Sequence, residues 1–290
     1  MTNYKKRGGC GAAICAVIVL AVPWSPAVGG AYAQAGETDA YRRAEARFHN
    51  TGTVADAIRK VKQGEFLGVH VEEIAEAGAT EAIPVLKEQF ARTADSRQRE
   101  DFDPGNKGKV ASALVRLGDK DPVYWDFLVK QATDAVESDI PLPTRFDAQG
   151  KIVPHQLSPE FEAWTKAHDV SPESVGQVAA YELPVKLGYM AETGDPRGLP
   201  LLRSAMSSSN YMIQSMAAKG LAKLDDKDSI PVIVAACAKA PAEISPAIAE
   251  ALVYFDDPRA QSAAERYLPK EYFKSLRDGR RVPGNDVFIH

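Results

Sequence analysis

The chain has 290 residues, of which 45% are hydrophobic and 26% charged, enough for one elongated array with a sizeable core. Its formal net charge is −4, and Lys5, Lys6 and Arg7 are the only charges in its first 36 residues. Beyond that stretch the balance is more acidic still, which argues against a nucleic-acid or anionic-membrane partner.

Residues 1–33 have the layout of a secretory signal. Lys5-Lys6-Arg7 form the charged region, Ala12–Val22 an unbroken apolar run ended by Pro23, and Ala31-Tyr32-Ala33 a small-x-small cleavage pattern. The run is shorter than the roughly 20 residues a membrane span needs, so a removed leader is expected rather than an anchor. Cleavage leaves Cys237 as the sole cysteine. It sits in the apolar stretch PVIVAACAKA and is expected to be a small buried hydrophobe.

The N-terminal helices occupy 34–65. The first covers Glu37–Phe48, and Asn50-Thr51-Gly52 breaks it. The second, Val54–Gln63, is capped by Thr53 and stopped by Gly64. Helices over Phe66–Ala77 and Glu81–Thr93 open a repeat region (66–137) that a polar loop, Glu100–Lys109, interrupts. That loop has a faint calcium-loop look in Asp101, Asp103 and Gly105, but the ligand pattern fails. Helices over Val110–Leu117 and Pro122–Ala135 resume the repeat.

Residues 138–174 break the frame with Pro141, Pro143, Pro154, Pro159 and Pro172. A small hairpin is expected there, pairing Arg145-Phe146 with Lys151-Ile152-Val153 across Asp147–Gly150. Ser158-Pro159-Glu160 then starts a short helix carrying Phe161, Trp164 and His168. A loop this long is uncommon in a compact domain unless it binds something, straps the array or is disordered, and its aromatics argue against full disorder. Glu173–Glu192 is expected to be a long helix, kinked or broken near Pro184. Repeats fill 175–268, and a closing helix and polar tail occupy 269–290.

The repeats share a frame. Thr193, Leu224 and Phe255 each precede a turn and recur at a spacing of 31 residues, with Ala77 and Leu117 at the corresponding place in two earlier copies. A fixed period of this size signals stacked helix pairs. Ile213, Ala217, Leu221 and Leu224 carry the spacing of a buried stripe, as do Ile244, Ile248, Leu252 and Phe255. Gly118 and Gly194 suit left-handed C′ positions. Asp195 and Asp257 can cap the next helix, with Pro196 and Pro258 at its first position. Pro84, Pro200 and Pro231 fall within a first turn, where a missing N–H costs little. The acid pairs Asp225-Asp226 and Asp256-Asp257 are expected to cap.

The runs GDPRGLPLL and LAKLDDKDSIPVI resemble HEAT repeats, in particular the short type of bilin-lyase-like and bacterial HEAT proteins. The resemblance covers about Phe66–Leu268 less the insertion. It implies an all-α fold: an α-solenoid of stacked antiparallel helix pairs with one irregular insertion. It also implies a protein-binding role more often than an enzymatic one.

Catalytic signatures are missing from the sequence. His49, His70, His155, His168 and His290 share no metal-ligand spacing, and the paired His-Glu motifs of deoxyhypusine-type HEAT hydroxylases do not occur. No haem-attachment, Gly-x-Ser-x-Gly, Ser-x-x-Lys or phosphate-cradling motif is present. The reading is therefore an exported, periplasmic or secreted bacterial scaffold with no metal or cofactor. It would bind a protein or peptide on its repeat face through Tyr211, Gln214, Lys219, Lys223, Glu250 and Tyr254, taken to project off the buried stripe, with Trp164 and His168 of the insertion adding specificity. One alternative is a small-ligand binder or enzyme with a pocket under the insertion lined by His155, Trp164 and His168. Another is an envelope structural subunit that self-associates.

Overall fold

The computed structural model describes residues 53–64, 67–92 and 106–279. The export signal, the helix expected over 37–48, residues 100–105 of the polar loop and the tail from 280 lie outside the described residues. In chain order the helices are α1 (Val54–Gln63), α2 (Leu67–Glu76), α3 (Ile83–Arg92), α4 (Asn106–Arg116) and α5 (Pro122–Glu137). The strands β1 (Thr144–Phe146) and β2 (Ile152–Leu157) follow, then α6 (Pro159–Ala167) and α7 (Pro172–Gln177). A π-helical segment over Val178–Glu182 leads into α8 (Leu183–Glu192), followed by α9 (Leu199–Ala205), α10 (Tyr211–Lys223) and α11 (Ile230–Lys239). Last come α12 (Ser245–Ala249), extended as a 3₁₀ turn over Glu250–Tyr254, α13 (Pro258–Tyr267) and α14 (Lys270–Gly279).

Local chemistry sets the ends of these helices. Thr53 and Asp56 make a reciprocal capping box on α1, and Gly64 ends it at φ 78°. Each frame residue (Ala77, Leu117, Thr193, Leu224, Phe255) directly follows the first helix of its pair or that helix's 3₁₀ extension. Asp121, Asp195 and Asp257 accept the N–H of Val123, Arg197 and Arg259 at 3.1, 2.9 and 2.8 Å, and a proline follows each of the three.

Left-handed backbone follows the frame residue at Gly78, Gly118 and Gly194, but in the fourth copy the position is held by Asp225 at φ 49°. A side chain pays for that conformation and glycine does not. Asp225→Gly is expected to stabilise the protein by up to about 1 kcal/mol in urea denaturation, because the exposed Asp225–Lys227 pair it gives up contributes little. Asp226 departs from its expected role. Rather than cap, its carboxylate receives Arg203 from α9 in a two-point pair at 2.9 and 2.5 Å, and also the Ser229 hydroxyl. Such a charge-assisted fork is stronger than one backbone cap.

The first helices pack side by side: α2 on α4, α4 on α8, α8 on α10, α10 on α12 and its 3₁₀ extension, with α14 closing against that extension. Ile74, Leu114, Leu187, Leu221 and Leu252 are fully buried between the layers, as are Ile213 and Ala217; Leu224 is only half-buried. Two glycines set the closest approaches. A Cβ on Gly108 would lie 2.3 Å from the Tyr189 ring, and one on Gly220 2.8 Å from Ala191. The first contact explains why Asn106–Lys109, expected to be loop, are instead the first turn of α4. Packing on α8, with Lys107 over the rings of Phe90 and Phe127 at 4.7 and 5.5 Å, outweighs weak helix propensity.

The insertion forms the expected hairpin and capped helix, and it packs along the array as a strap. β1 and β2 are antiparallel, and Ser158 caps α6 while its hydroxyl donates to the Leu142 carbonyl at 2.7 Å. Phe161 is fully buried. At one end Asp139 accepts the Ser209 N–H at 2.8 Å, and Asn210 donates to the Ile140 carbonyl at 3.1 Å. At the other, the Glu243 N–H donates to the Gly150 carbonyl at 3.1 Å and its carboxylate accepts the Ile152 N–H at 2.8 Å. Gly150 sits so close to the 241–242 backbone that a Cβ would fall 2.3 Å from the Ala242 nitrogen.

The run from 172 to 192 stays helical past Pro184 by taking up a π turn just before it. The Leu183 N–H bonds the Val178 carbonyl, which releases the Ala179 carbonyl from its usual partner. Asn210, fully buried, supplies the replacement at 2.7 Å while its side-chain oxygen caps α10. Proline's steric demand is thus absorbed locally and the released acceptor is satisfied by the next repeat.

Candidate partner-binding face

One edge of the first-helix layer carries a ladder of charged side chains whose sign alternates from helix to helix. α2 offers Glu72, α4 Lys109 and Arg116, α8 Glu192, α10 Lys219 and Lys223, and the 3₁₀ extension of α12 Glu250. Arg116 reaches Glu72 at 2.6 Å; Lys109 bridges Glu72 at 2.5 Å and Glu192 at 3.1 Å. Lys223 donates to the Glu192 main-chain carbonyl at 2.6 Å. Lys219 pairs with Glu250 at 2.9 Å, and Glu250 also accepts the Tyr272 hydroxyl of α14. Every step crosses from one first helix to the next.

The pairs are sheltered. The Glu192 side chain is 5% exposed and that of Lys109 11%. Burial works against the Lys109 ammonium, but Glu192 and Glu72 outweigh it and raise its pKa. Burial also works against the Glu72 carboxylate, yet Lys109 and Arg116 together hold its pKa below the ordinary value. Glu192 goes the other way: burial raises its pKa more than Lys109 lowers it, and one of its oxygens has no hydrogen-bond partner.

The residues expected to form this face lie on α10 and on the 3₁₀ extension of α12, but they do not project freely. Lys219, Lys223 and Glu250 belong to the ladder, and Lys223 lies across the turn at Gly194, where a Cβ would meet its stem at 3.4 Å. The expectation that Lys223 points outward is corrected by this contact. Gln214 is half-buried and donates to the Ser208 carbonyl at 2.7 Å. Tyr211 and Tyr254 are half-buried, with their rings packed on the core. Glu72, Lys109, Arg116 and Glu192 escaped the reading of the sequence. A signal for some of them was there: the residue just before the frame residue runs Glu76, Arg116, Glu192, Lys223, Tyr254.

His155, Trp164 and His168 do not line the cleft found among the described residues. Trp164 is half-buried against the core and His168 is exposed, its ring stacked on that of Trp164 at 4.0 Å. The His168 Nδ1 is tied to the Trp164 carbonyl at 2.8 Å, and His155 stands exposed on β2 at φ 59°. A cleft does lie elsewhere, beside the π turn, lined by Phe127, Tyr181, Val185 and Tyr189 among others. Its volume of about 30 Å³ is the size for a water, an order of magnitude below a ligand pocket. Cys237 is buried, and burial pushes its thiol up to about 12.

Among the described residues no helix is long and apolar enough to cross a membrane. Residues 185–253 match the family model of HEAT repeats. No curated protein and no solved structure matches the chain. The matched stretch runs from α8 to the 3₁₀ extension of α12, and the paired helices before it continue the same layering, so the fold is an all-α, HEAT-like solenoid with one irregular insertion.

Proposed function

We propose that the protein is an exported scaffold, built from the short bilin-lyase-like type of HEAT repeat, that binds a protein or peptide partner along its first-helix face. The observation that carries this is the continuity of the charge ladder. It spans successive repeats without a break, as a surface read by an extended partner would. Half-buried Tyr211 and Tyr254, on the same segments as Lys219, Lys223 and Glu250, supply aromatic anchors. The strap holds Trp164 and His168 on the same solenoid, where they add selectivity. Export follows from the charged, apolar and small-x-small segments of residues 1–33.

The test is site-specific photo-crosslinking in a native envelope. A photoreactive residue at Tyr211, on the first-helix face, is expected to give a discrete adduct. The same residue at Val232, exposed on the second helix α11, is expected to give none. Adducts from position 232 alone would place the partner on the opposite layer and end this reading.

A further inference from the structure

Glu192 is the poorly served member of the ladder. Its carboxylate is buried at the last residue of α8, where the free carbonyls of a helix end already disfavour a negative charge. One oxygen meets Lys109 at 3.1 Å, and the other has no hydrogen-bond partner among the described residues. The ammonium is shared, and Glu72 holds it closer, at 2.5 Å, with Arg116 at 2.6 Å besides. The other charges on the neighbouring elements are engaged elsewhere or exposed. On α10, Lys223 bonds the Glu192 main-chain oxygen and Lys219 pairs with Glu250. On α4, Lys107 lies over Phe90 and Phe127. On α2, Glu73 meets His70 at 3.4 Å and Glu76 is exposed. In the turn after α8, Asp195 pairs with Arg197. None of the side chains that α5 buries is charged.

We propose that Glu192 is a proton-binding site that sets how firmly the end of α8 closes onto α4, tighter in acid and looser toward neutral pH. A proton on the open oxygen removes a buried negative charge and leaves the other oxygen to accept from Lys109. Ionised, the same carboxylate is better solvated by water than by its surroundings, so the end of α8 gains by opening. The direction of its titration agrees with the geometry: burial, with Glu72 in support, raises the pKa against Lys109 and Arg116. A group that holds its proton more tightly in the closed form favours that form below the closed-form pKa and disfavours it above. Glu72, with two cations in contact, is shifted the other way, which leaves Glu192 as the member of this pair that takes up a proton first. No partner is needed for this, so it stands whether or not the first-helix face binds one.

The test follows the intact protein by NMR from pH 7.5 to pH 4.5 with two readouts. The first is the side-chain carboxyl carbon of Glu192, expected to titrate with a midpoint above that of a free glutamate, about 4.3. The second is hydrogen exchange at the Thr193 and Gly194 amides, which close the end of α8 on the Met190 and Ala191 carbonyls at 3.2 Å each. After correction for the intrinsic pH dependence of exchange, their protection is expected to rise about tenfold or more as pH falls, a factor of ten for each unit by which the closed form raises the pKa. Glu192→Gln carries no charge at this position at any pH. It is expected to be as protected at pH 7.5 as the natural protein is in acid, and to show no such rise. A Glu192 midpoint at or below that of a free glutamate would overturn the proposal. So would a rise that survives in Glu192→Gln, protection that falls in acid, or amides that ignore the titration of Glu192.

Discussion

Lys109→Met is expected to lower stability by about 3–5 kcal/mol at neutral pH in urea denaturation. The substitution keeps an unbranched stem of similar length and removes only the charge. What it leaves is two carboxylates, Glu72 and Glu192, sheltered between helices with Arg116 in contact with one of them. Glu192, whose carboxyl burial already pushes above its ordinary pKa, then loses the cation that opposed the shift and binds its proton more tightly still in the folded chain. A carboxyl whose folded pKa is raised favours the native state while protonated and disfavours it as pH rises through that pKa. The deficit of the variant should therefore be largest at neutral pH and shrink as pH falls. In the natural protein Glu72, with its lowered pKa, works in the opposite sense and loses its contribution under acid. An equal deficit at pH 7 and pH 5 would mean that lost packing, rather than stranded charge, sets the cost.

Phe161→Ala is expected to cost about 3–5 kcal/mol, the range for emptying an aromatic site that has no way to collapse. Phe161 is fully buried, on a helix that belongs to the strap rather than to a repeat. It is a principal apolar anchor of 138–174, with Ile140 and Leu142 buried near the start of the same segment. Limited proteolysis should show the consequence in place: cuts within 138–174 that the natural protein resists, with α10 and α11 still protected. Protection of the strap together with a small loss of stability would show that its hydrogen bonds to 208–210 and 243 hold it unaided.

The solenoid was legible because its information is local. Helix stripes, the caps at Asp195 and Asp257, first-turn prolines and the turn glycines Gly118 and Gly194 recur within a few residues of the frame positions, and the structure uses them as the spacing implies. The hairpin and the capped helix of the insertion were legible for the same reason. What the sequence hid is carried by distant pairs. Lys109 and Glu192 are 83 positions apart, and Ile152 and Glu243 are 91. Neither pairing has a periodicity to betray it. Lys219, Lys223 and Glu250 were expected to project off the buried stripe, and only the neighbouring helices show that their charges are engaged. Asp225 had no glycine to announce its left-handed backbone, and the π turn before Pro184 depends on an asparagine from the following repeat.

The strap also changes how such a molecule comes apart. A plain stack holds each layer by the layers beside it, so it can unzip from a free end one unit at a time. Here a single segment leaves α5, is pinned at 208–210 and is pinned again at 243, so layers that do not touch share a tether. Under force or heat the C-terminal half is expected to yield in one event, after the tether lets go, rather than by peeling.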